Sequence, residues 1–211
     1  GQMKIVKQGW DWEVKPDGEA ILRHIESAGR TCYKSEDAIK PGTAAAFIKN
    51  VILTKGHESV LEHPSLSVRI VTDRGVTHEV VRHRLVSYSQ ESTRYCNYGK
   101  QSDVVFIQPV WLDPNSEANE AEVIWREACL FSEKHYLALL KAGWSPQYAR
   151  TVLNNSLKTE IVMSCNIREW RHFFRLRASS AAHPQMRELA SSMLRGFQAA
   201  VPVVFDDIVP K

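Results

Sequence analysis

The sequence predicts one domain that mixes helices and strands, an α/β or α+β fold. The chain has 211 residues, enough for one sizeable core. Its 44% hydrophobic and 24% charged residues are typical of a globular protein and exclude a disordered one. Segments with period-two apolar patterning alternate with segments of helical period, about four strands among about six helices. We therefore predict a single domain over residues 1–211.

The N-terminal third predicts a strand followed by two helices. Residues 4–14 favour a strand that ends in a turn at Pro16-Asp17-Gly18. A helix is predicted over Glu19 to Glu26. A second begins at Thr43 and ends at Gly56, where glycine is typical of a helix C-terminus.

The central third predicts two strands around a short helix. Apolar residues at every second position of 66–70 indicate a half-buried strand, and Asp73-Arg74-Gly75 indicates its turn. A helix from Thr77 to about Arg84 leads into the polar run 87–97. A further strand is predicted over Val104 to Gln108.

The C-terminal third predicts three helices and one strand. Asn119 resembles a helix N-cap and starts a long helix that ends at Gly143 and has Ile124, Ala128 and Phe131 on one face. A strand is predicted over Leu157 to Cys165. Asn166 caps the next helix, and His183-Pro184 begins the last.

Several protein classes are excluded by composition and by missing signatures. No apolar run approaches the ~20 residues of a membrane helix, and no secretory signal is recognisable, so a cytoplasmic protein is expected. The net charge of +3 is low for a nucleic-acid coating protein. Four cysteines without a CxxC pair predict reduced thiols. Dinucleotide, P-loop and α/β-hydrolase motifs are absent from the sequence, and the histidine spacings predict no metal site.

The densest polar feature is the segment from Arg82 to Arg94. Three arginines, one histidine and several hydroxyl and amide side chains fall within it. Arginine forks suit phosphates and carboxylates because they donate two parallel charged hydrogen bonds. The approach through Val80 and Val81 favours a partly enclosed anion site, whereas a solvated basic loop is the alternative.

A second polar cluster follows Asn166. Arg168, His172 and Arg175 share one face of the predicted helix, opposite its apolar face. The helix N-terminus at Asn166 offers amide donors to a phosphate or a ring system. A solvent-facing basic stripe remains the alternative.

The segment from Arg82 to Arg94 matches RHRxxSxxxxSxR and resembles the signature of flavin-dependent thymidylate synthases. Gly56-His57-Glu58-Ser59 resembles the family's upstream segment, and Asn166 to Arg177 its C-terminal block. The resemblance implies a homotetramer of α/β subunits, each with a central, mostly antiparallel twisted sheet flanked by helices. It also implies reductive methylation of dUMP to dTMP, with FAD as cofactor and with NADPH and 5,10-methylenetetrahydrofolate as co-substrates.

The resemblance also implies roles for individual residues. The implied FAD ligands are His57, Ser59, Arg82, His83, Arg84, Gln90, Asn166, Ile167, Arg168 and His172. The implied dUMP ligands are Glu79, Val80, Val81, Arg82, Gln90, Glu91, Ser92, Thr93, Arg94, Arg150 and Arg177. Arg177 is the implied catalytic residue, because a fixed cation there stabilises negative charge on the pyrimidine. His183 is a further candidate flavin ligand.

Three positions depart from the family pattern. Ser89 and Gln90 stand where many members carry Asn and Glu, and His172 stands where some members carry Asn.

Two other functions remain open on the sequence. A nucleic-acid module would use the arginines together with Tyr88, Tyr95 and Tyr98, and its binding would weaken steeply with salt. The second alternative function is that of a relative that binds flavin and nucleotide without turnover. We expect dUMP, folate and copies of the same chain as partners, and neither nucleic acid nor membrane.

Overall fold

The computed structural model describes residues 3–113 and 115–210, so residues 1, 2, 114 and 211 of the predicted domain lie outside the described part. The chain divides into two compact units. Unit 1 comprises the described residues of Gly1–Gly9, Ile70–Arg82 and Ser89–Ile161. Unit 2 comprises the described residues of Trp10–Arg69, His83–Tyr88 and Val162–Lys211.

The fold mixes helices and strands, as the sequence predicts, and has an antiparallel sheet, as the family resemblance implies. The strands are β1 (Lys4–Val6), β2 (Gly9–Trp12), β3 (Ser65–Asp73), β4 (Ser87–Gln90), β5 (Val105–Ile107) and β6 (Lys158–Asn166). The four-stranded sheet has the order β2-β3-β6-β4. β1 and β5 form a separate parallel pair, with Lys4 opposite Val105 and Val6 opposite Ile107.

Helices connect these strands. The α-helices are α1 (Gly18–Tyr33), α2 (Thr43–Phe47), α3 (Arg74–Val80), α4 (Glu120–Lys141), α5 (Pro146–Ala149), α6 (Ile167–Arg177) and α7 (Pro184–Ala200). α2 continues as a π-helix over Ile48–Leu53, and 3-10 turns cover Glu36–Ala38, Glu58–Glu62 and Arg150–Val152. No helix in the described part of the chain combines the length and apolarity of a bilayer span.

Unit 1 is organised around one side of α4. Its buried cluster contains Tyr98, Val104, Phe106, Cys129, Tyr136, Ala149 and Leu157. Cys129 and Tyr136 are seven residues apart on α4, so both point into this cluster. The opposite side of α4 is exposed, so the face with Ile124, Ala128 and Phe131 is not a core face.

Unit 2 is organised around the aromatic residues of α6 and α7. Trp170 is fully buried, stacks on Phe174 and meets Phe197 edge to face. Its indole Nε1 donates to the backbone oxygen of Leu66 at 3.1 Å, which ties α6 to β3. Burial of three large aromatic side chains is worth several kcal/mol of folding free energy, on the order of 2 kcal/mol each. This packing holds α6 rigidly, with its polar face outward.

Side-chain caps explain where several elements begin. Asn119 accepts from the backbone nitrogen of Glu122 at 2.9 Å, and Asn166 accepts from that of Glu169 at 2.9 Å, as predicted. Asp73 likewise accepts from the backbone nitrogen of Val76 at 2.7 Å. The helix predicted from Thr77 therefore begins earlier, at Arg74, and ends at Val80 rather than near Arg84.

Three other boundaries differ from the prediction. The helix predicted over Glu19 to Glu26 continues to Tyr33, because Ile25 and Gly29 extend its buried stripe. The predicted helix from Thr43 becomes a π-helix after Phe47, although Gly56 has the left-handed φ of 72° expected there. The polar run 87–97 begins with strand β4, in which exposed and half-buried residues alternate.

Candidate active site

The segment from Arg82 to Arg94 leaves the end of α3, continues through β4 and then turns. The side chains of Arg82, Arg84 and Arg94 are exposed. Among the described residues, none of the three makes an ion pair, although Arg94 lies 5.4 Å from the centre of the Tyr95 ring. Guanidinium groups held in this way can receive an anion without first breaking an internal salt bridge.

His83 is the buried member of this segment in unit 2. Its side chain is 5% exposed, and its Nε2 accepts a hydrogen bond from Nε of Arg177 at 3.0 Å. Burial, followed by the charges of Arg177 and His172, lowers the pKa of His83 from 6.5 to about 4. His83 is therefore neutral at neutral pH, and its ring proton sits on Nδ1 because Nε2 accepts.

Glu169 and Tyr88 hold His83 in place. The Oε1 atom of Glu169 lies 3.7 Å from Nδ1 of His83, close to the ring proton. The hydroxyl of Tyr88 donates to the backbone oxygen of His83 at 2.9 Å, and burial raises the pKa of Tyr88. The ring of Phe173 contacts His83 edge to face at 5.0 Å. These contacts orient His83, which in turn orients Arg177.

The polar face of α6 follows this group in sequence, and Arg168, His172 and Arg175 on it are exposed. Arg168 pairs with Glu62 at 2.7 Å, and Arg175 pairs with Glu58 at 3.3 Å. The ring of His172 lies 5.9 Å from that of His83 and is exposed. α6 therefore presents two cations and an imidazole from its first three turns.

Asn166 and Ile167, at the start of α6, already make hydrogen bonds within the protein. The side-chain oxygen of Asn166 caps the helix, which leaves its amide nitrogen as a donor. Ile167 is fully buried, and its backbone nitrogen donates to the oxygen of Pro64 at 3.1 Å. Ile167 therefore offers no exposed surface to a ligand in this chain.

The upstream segment places two more predicted flavin residues in unit 2. His57 is exposed, and its Nδ1 makes a hydrogen bond with the hydroxyl of Tyr33. The two rings stack at 6.0 Å. Ser59 is exposed within the Glu58–Glu62 turn.

The predicted dUMP residues lie in unit 1, apart from Arg177. The side-chain amide of Gln90 donates to Oγ1 of Thr77 at 3.1 Å and to Oγ1 of Thr159 at 3.2 Å. The side-chain nitrogen of Gln90 is thus used in internal hydrogen bonds, and the side-chain oxygen is the atom left to accept from a ligand. Val80 is buried, whereas Glu79 is half-buried and Val81 is 40% exposed.

Glu91 and Thr93 are anchored by side chains from other elements of unit 1. Glu91 accepts from the Tyr98 hydroxyl at 2.7 Å and lies 3.6 Å from Nζ of Lys158. These three residues line a cavity of about 490 Å³, within the usual size of ligand pockets. The hydroxyl of buried Thr93 accepts from Arg150 at 3.2 Å. Arg150 and Thr93, both named as dUMP ligands by the resemblance, therefore lie in contact.

Ser92 forms the turn between these residues and Arg94. Its hydroxyl accepts from the backbone nitrogen of Arg94 at 3.2 Å. Its backbone oxygen accepts from the backbone nitrogen of Cys96 at 2.9 Å. A turn of this type directs Arg94 outward.

A cation is a second conceivable occupant of the histidine group. Ligand atoms of His83, Glu169 and His172 lie within 4.8 Å of one another. The guanidinium of Arg177, however, already donates to His83 Nε2, and its positive charge disfavours a metal ion at that atom. We retain the prediction that the site takes no metal.

Sequence reasoning gave Glu169, Thr159 and Lys158 no role in these clusters, and it named Tyr88 only for the nucleic-acid alternative. Glu169 stood out only as an N3 residue of the capped helix. Glu169 is only 9% exposed although it lies in the polar first turn of α6. This burial, which marks it as part of the site, is visible only in the folded structure.

Comparison with known proteins identifies the family. Residues 19–203 match the family described as Thymidylate synthase complementing protein. The chain belongs to this family. A relative from Mycolicibacterium vanbaalenii, named Flavin-dependent thymidylate synthase, is 41% identical over 93% of this chain and 82% of its own. One of the same name from Corynebacterium glutamicum is 36% identical with the same coverage. The prediction of a flavin-dependent thymidylate synthase is confirmed.

Solved structures share the fold. The UMP/dUMP methylase PolB from Streptomyces cacaoi, bound with 5-Br dUMP, has a TM-score of 0.78 and 22% identity over 97% of this chain and 96% of its own. Thymidylate Synthase X from Helicobacter pylori with FAD and dUMP has a TM-score of 0.74 and 23% identity over 94% and 99%. The thymidylate synthase described here thus has the fold of both proteins.

Proposed function

We propose that this thymidylate synthase reductively methylates dUMP to dTMP through the residues of the Arg82–Arg94 segment and of α6. The observation that carries the proposal is the exposed set of guanidinium groups at Arg82, Arg84 and Arg94. They lie in a chain whose family is one of flavin-dependent thymidylate synthases. Membership of the family favours the enzyme over a nucleic-acid module.

FAD is the proposed cofactor, and the donor set fits it. A flavin dinucleotide has a pyrophosphate, which suits exposed arginines, and a ring edge that accepts and donates hydrogen bonds. Arg82, Arg84 and Arg168 supply cations, while His57, Ser59, Gln90, Asn166 and His172 supply neutral polar groups. Buried His83 and Ile167 would contribute by positioning the residues around them. Reduced FAD supplies the hydride equivalent that the methylation consumes.

The dUMP ligands proposed in unit 1 divide by chemistry. Arg94 and the turn at Ser92 suit the phosphate, because they offer a charged fork beside a hydroxyl. Gln90 and Glu91 suit the pyrimidine edge, since their side chains are fixed by Thr77, Thr159 and Tyr98. The remaining proposed contacts are Glu79, Val80, Val81, Arg82, Thr93 and Arg150. Of these, Val80 and Thr93 are buried and would act through the backbone or by shaping the site.

Arg177 is proposed as the catalytic residue. Neutral His83 accepts from its Nε, which fixes the plane of the guanidinium and with it the positions of its terminal nitrogens. Placed at the pyrimidine, they stabilise negative charge that develops on the ring during methylation. A positive charge fixed in advance costs no reorganisation at the moment of reaction.

Several further features complete the proposal. NADPH is the proposed reductant, 5,10-methylenetetrahydrofolate the carbon donor, and a homotetramer the assembly. The family match over residues 19–203 includes both compact units, which supports one functional domain over 1–211. We place the enzyme in the cytoplasm, where its four free cysteines would stay reduced.

A complete assay tests this function. Purified protein is mixed with FAD, NADPH, 5,10-methylenetetrahydrofolate and dUMP, and dTMP is quantified by chromatography. We expect dTMP formation that stops when FAD, NADPH or the folate is left out. Absence of dTMP from the complete mixture, with a protein that holds flavin, would instead identify a binding protein without turnover.

A further inference from the structure

Two buried hydroxyl groups hold the side-chain amide of Gln90. Its nitrogen donates to Oγ1 of Thr77 at 3.1 Å and to Oγ1 of Thr159 at 3.2 Å. Thr77 lies in α3 and Thr159 in β6, and both residues are fully buried. A side-chain amide nitrogen has two hydrogens, and these two contacts use both. The side chain of Gln90 therefore has no donor left for a ligand.

Thr77 determines which end of this amide faces it. Its hydroxyl has one proton, which it donates to the backbone oxygen of Arg74 at 3.0 Å, at the start of α3. Toward Gln90 the hydroxyl therefore offers only lone pairs, and it accepts from the amide nitrogen. The amide oxygen at the same place would meet those lone pairs without a proton between them. Because hydrogen-bond partners decide the orientation of an amide, Thr77 fixes that of Gln90.

Thr159 does not make this choice. Among the described residues, its hydroxyl contacts the amide of Gln90 and no other polar group. A hydroxyl whose proton has no other acceptor can accept from an amide nitrogen or donate to an amide oxygen. The orientation of Gln90 therefore depends on Thr77, although the two contacts have nearly the same length.

The amide oxygen of Gln90 is left as an acceptor at the end of β4. Gln90 is half-buried, and within the described part of the chain its oxygen has no hydrogen-bond partner. A fixed acceptor matches a ligand group that donates and disfavours one that presents a lone pair, since both groups then lose their partners. Uracil has a ring N–H between its two carbonyl groups. Cytosine has a lone pair on the same ring nitrogen.

We propose that Thr77 is a positioning residue through which the site selects a uracil nucleotide over a cytosine nucleotide. Thr77 holds the oxygen of Gln90 toward the pyrimidine, where it accepts from the ring N–H of dUMP. The same oxygen opposes the ring lone pair of dCMP. An amide free to reverse would donate to that lone pair, and the discrimination would be lost. The inference rests on the proposed contact of Gln90 with the pyrimidine.

Removal of the Thr77 hydroxyl tests the proposal. Thr77→Val keeps the shape of the side chain but has no acceptor, so only Thr159 still contacts the amide, which can then reverse. Thr77→Ser keeps the hydroxyl. Thr159→Val is the matched control, because it removes a contact of similar length from an equally buried threonine and leaves Thr77 in place. Dissociation constants for dUMP and dCMP are measured by titration calorimetry on the FAD-loaded protein.

The ratio of the two dissociation constants is the readout. We expect the wild type to bind dUMP about 100-fold or more tightly than dCMP, and Thr77→Val to lower this ratio about ten-fold or more. Thr77→Ser and Thr159→Val should keep the wild-type ratio. A merely structural role of Thr77 would weaken both nucleotides equally and leave the ratio unchanged, which would overturn the proposal.

Gln90→Leu is a second test that leaves α3 intact. It removes the acceptor itself, so the ratio should fall as it does for Thr77→Val. The variant with both changes should show no further fall, because Thr77 acts through Gln90. An unchanged ratio in Gln90→Leu would overturn the proposal even if Thr77→Val did not fold.

FAD affinity and dTMP formation separate this inference from the proposed function. The flavin ring also has an N–H between two carbonyl groups, so FAD binding is measured by fluorescence on the same variants. Weaker FAD binding by Thr77→Val at an unchanged nucleotide ratio would assign the oxygen of Gln90 to the flavin and overturn the proposal. Formation of dTMP by the wild type would then leave the proposed function intact. A wild type that neither binds dUMP nor forms dTMP would overturn both.

Discussion

Arg177 donates a hydrogen bond from its Nε to Nε2 of His83 at 3.0 Å, across 94 positions of sequence. The contact requires a neutral His83, and burial together with the adjacent charges keeps the pKa of His83 at about 4. A histidine that would usually titrate near neutral pH is thereby kept as an acceptor for a cation. The arginine proposed to act on the pyrimidine is thus positioned by a residue of the sequence motif itself.

The lowered pKa of His83 predicts acid sensitivity. The unfolded chain binds a proton near pH 6.5 and the folded chain only near pH 4, so stability is lost as pH falls between these values. We expect the wild type to lose about 2 kcal/mol more than His83→Gln between pH 7.5 and pH 5, measured by urea unfolding. His78→Gln, at an exposed histidine of α3, should follow the wild type. Parallel pH profiles for His83→Gln and wild type would contradict the prediction.

Arg177→Ala removes the proposed catalytic cation. We expect kcat to fall by a factor of about 100 or more while the purified protein still holds flavin, since the lost interaction acts on developing charge. Arg177→Lys keeps the charge but loses the planar fork, and should recover only part of the activity. Steady-state dTMP formation and flavin absorbance are measured on the same samples. Normal turnover of Arg177→Ala would show that the ionisation role is wrong.

Arg94→Ala separates nucleotide from flavin binding. Loss of a charged hydrogen-bond fork should weaken dUMP binding about ten-fold or more and leave FAD binding nearly unchanged. Titration calorimetry with dUMP and fluorescence titration with FAD give the two constants. Arg195→Ala, at an exposed arginine of α7, is the matched control and should affect neither. An equal loss of both affinities would contradict the division of roles.

Arg171 is predicted to contribute to the stability of the fold and not to the reaction. It is 1% exposed, and its terminal nitrogens contact both carboxylate oxygens of Asp207 at 2.6 and 2.7 Å. Burial opposes ionisation of Asp207, but the hydrogen bonds from Arg171 outweigh it and hold the pKa of Asp207 low. Arg171→Ala should cost about 3 kcal/mol or more of unfolding free energy, because it empties a buried site and removes the donor to the backbone oxygen of buried Val204.

Arg175→Ala is the control for that measurement. Arg175 pairs with Glu58, as Arg171 does, but its side chain is 47% exposed. Exposed ion pairs contribute little, so the expected loss is below about 1 kcal/mol. Equal losses for the two variants in urea unfolding would show that burial does not decide the contribution.

Local signals in the sequence predicted much of the fold. The caps at Asn119 and Asn166 are contacts between residues three apart, and both helices begin where those caps predict. The alternating pattern of 66–70 likewise became β3. Asp73 was assigned to a turn because the same residue type serves both turns and helix caps, and only the hydrogen bond to Val76 distinguishes them.

The site was predicted through resemblance more than through periodicity. The motif identified Arg82 to Arg94, but it could not show that His83 is buried while Arg82 and Arg84 are exposed. The contact of Glu169 with His83 joins positions far apart in sequence, and no local pattern encodes it. The sequence places Phe131 on an apolar stripe of α4 but does not predict its exposure, because the helical period is the same for a buried and an exposed stripe.

The visible absorption spectrum of the purified protein tests the central claim most directly. Spectra are recorded after FAD is added and the excess removed, and again after dUMP is added. The account predicts a retained flavin band that shifts with dUMP, because the two ligands share one site. A protein that retains no flavin, or a band that dUMP leaves unchanged at saturation, would contradict it.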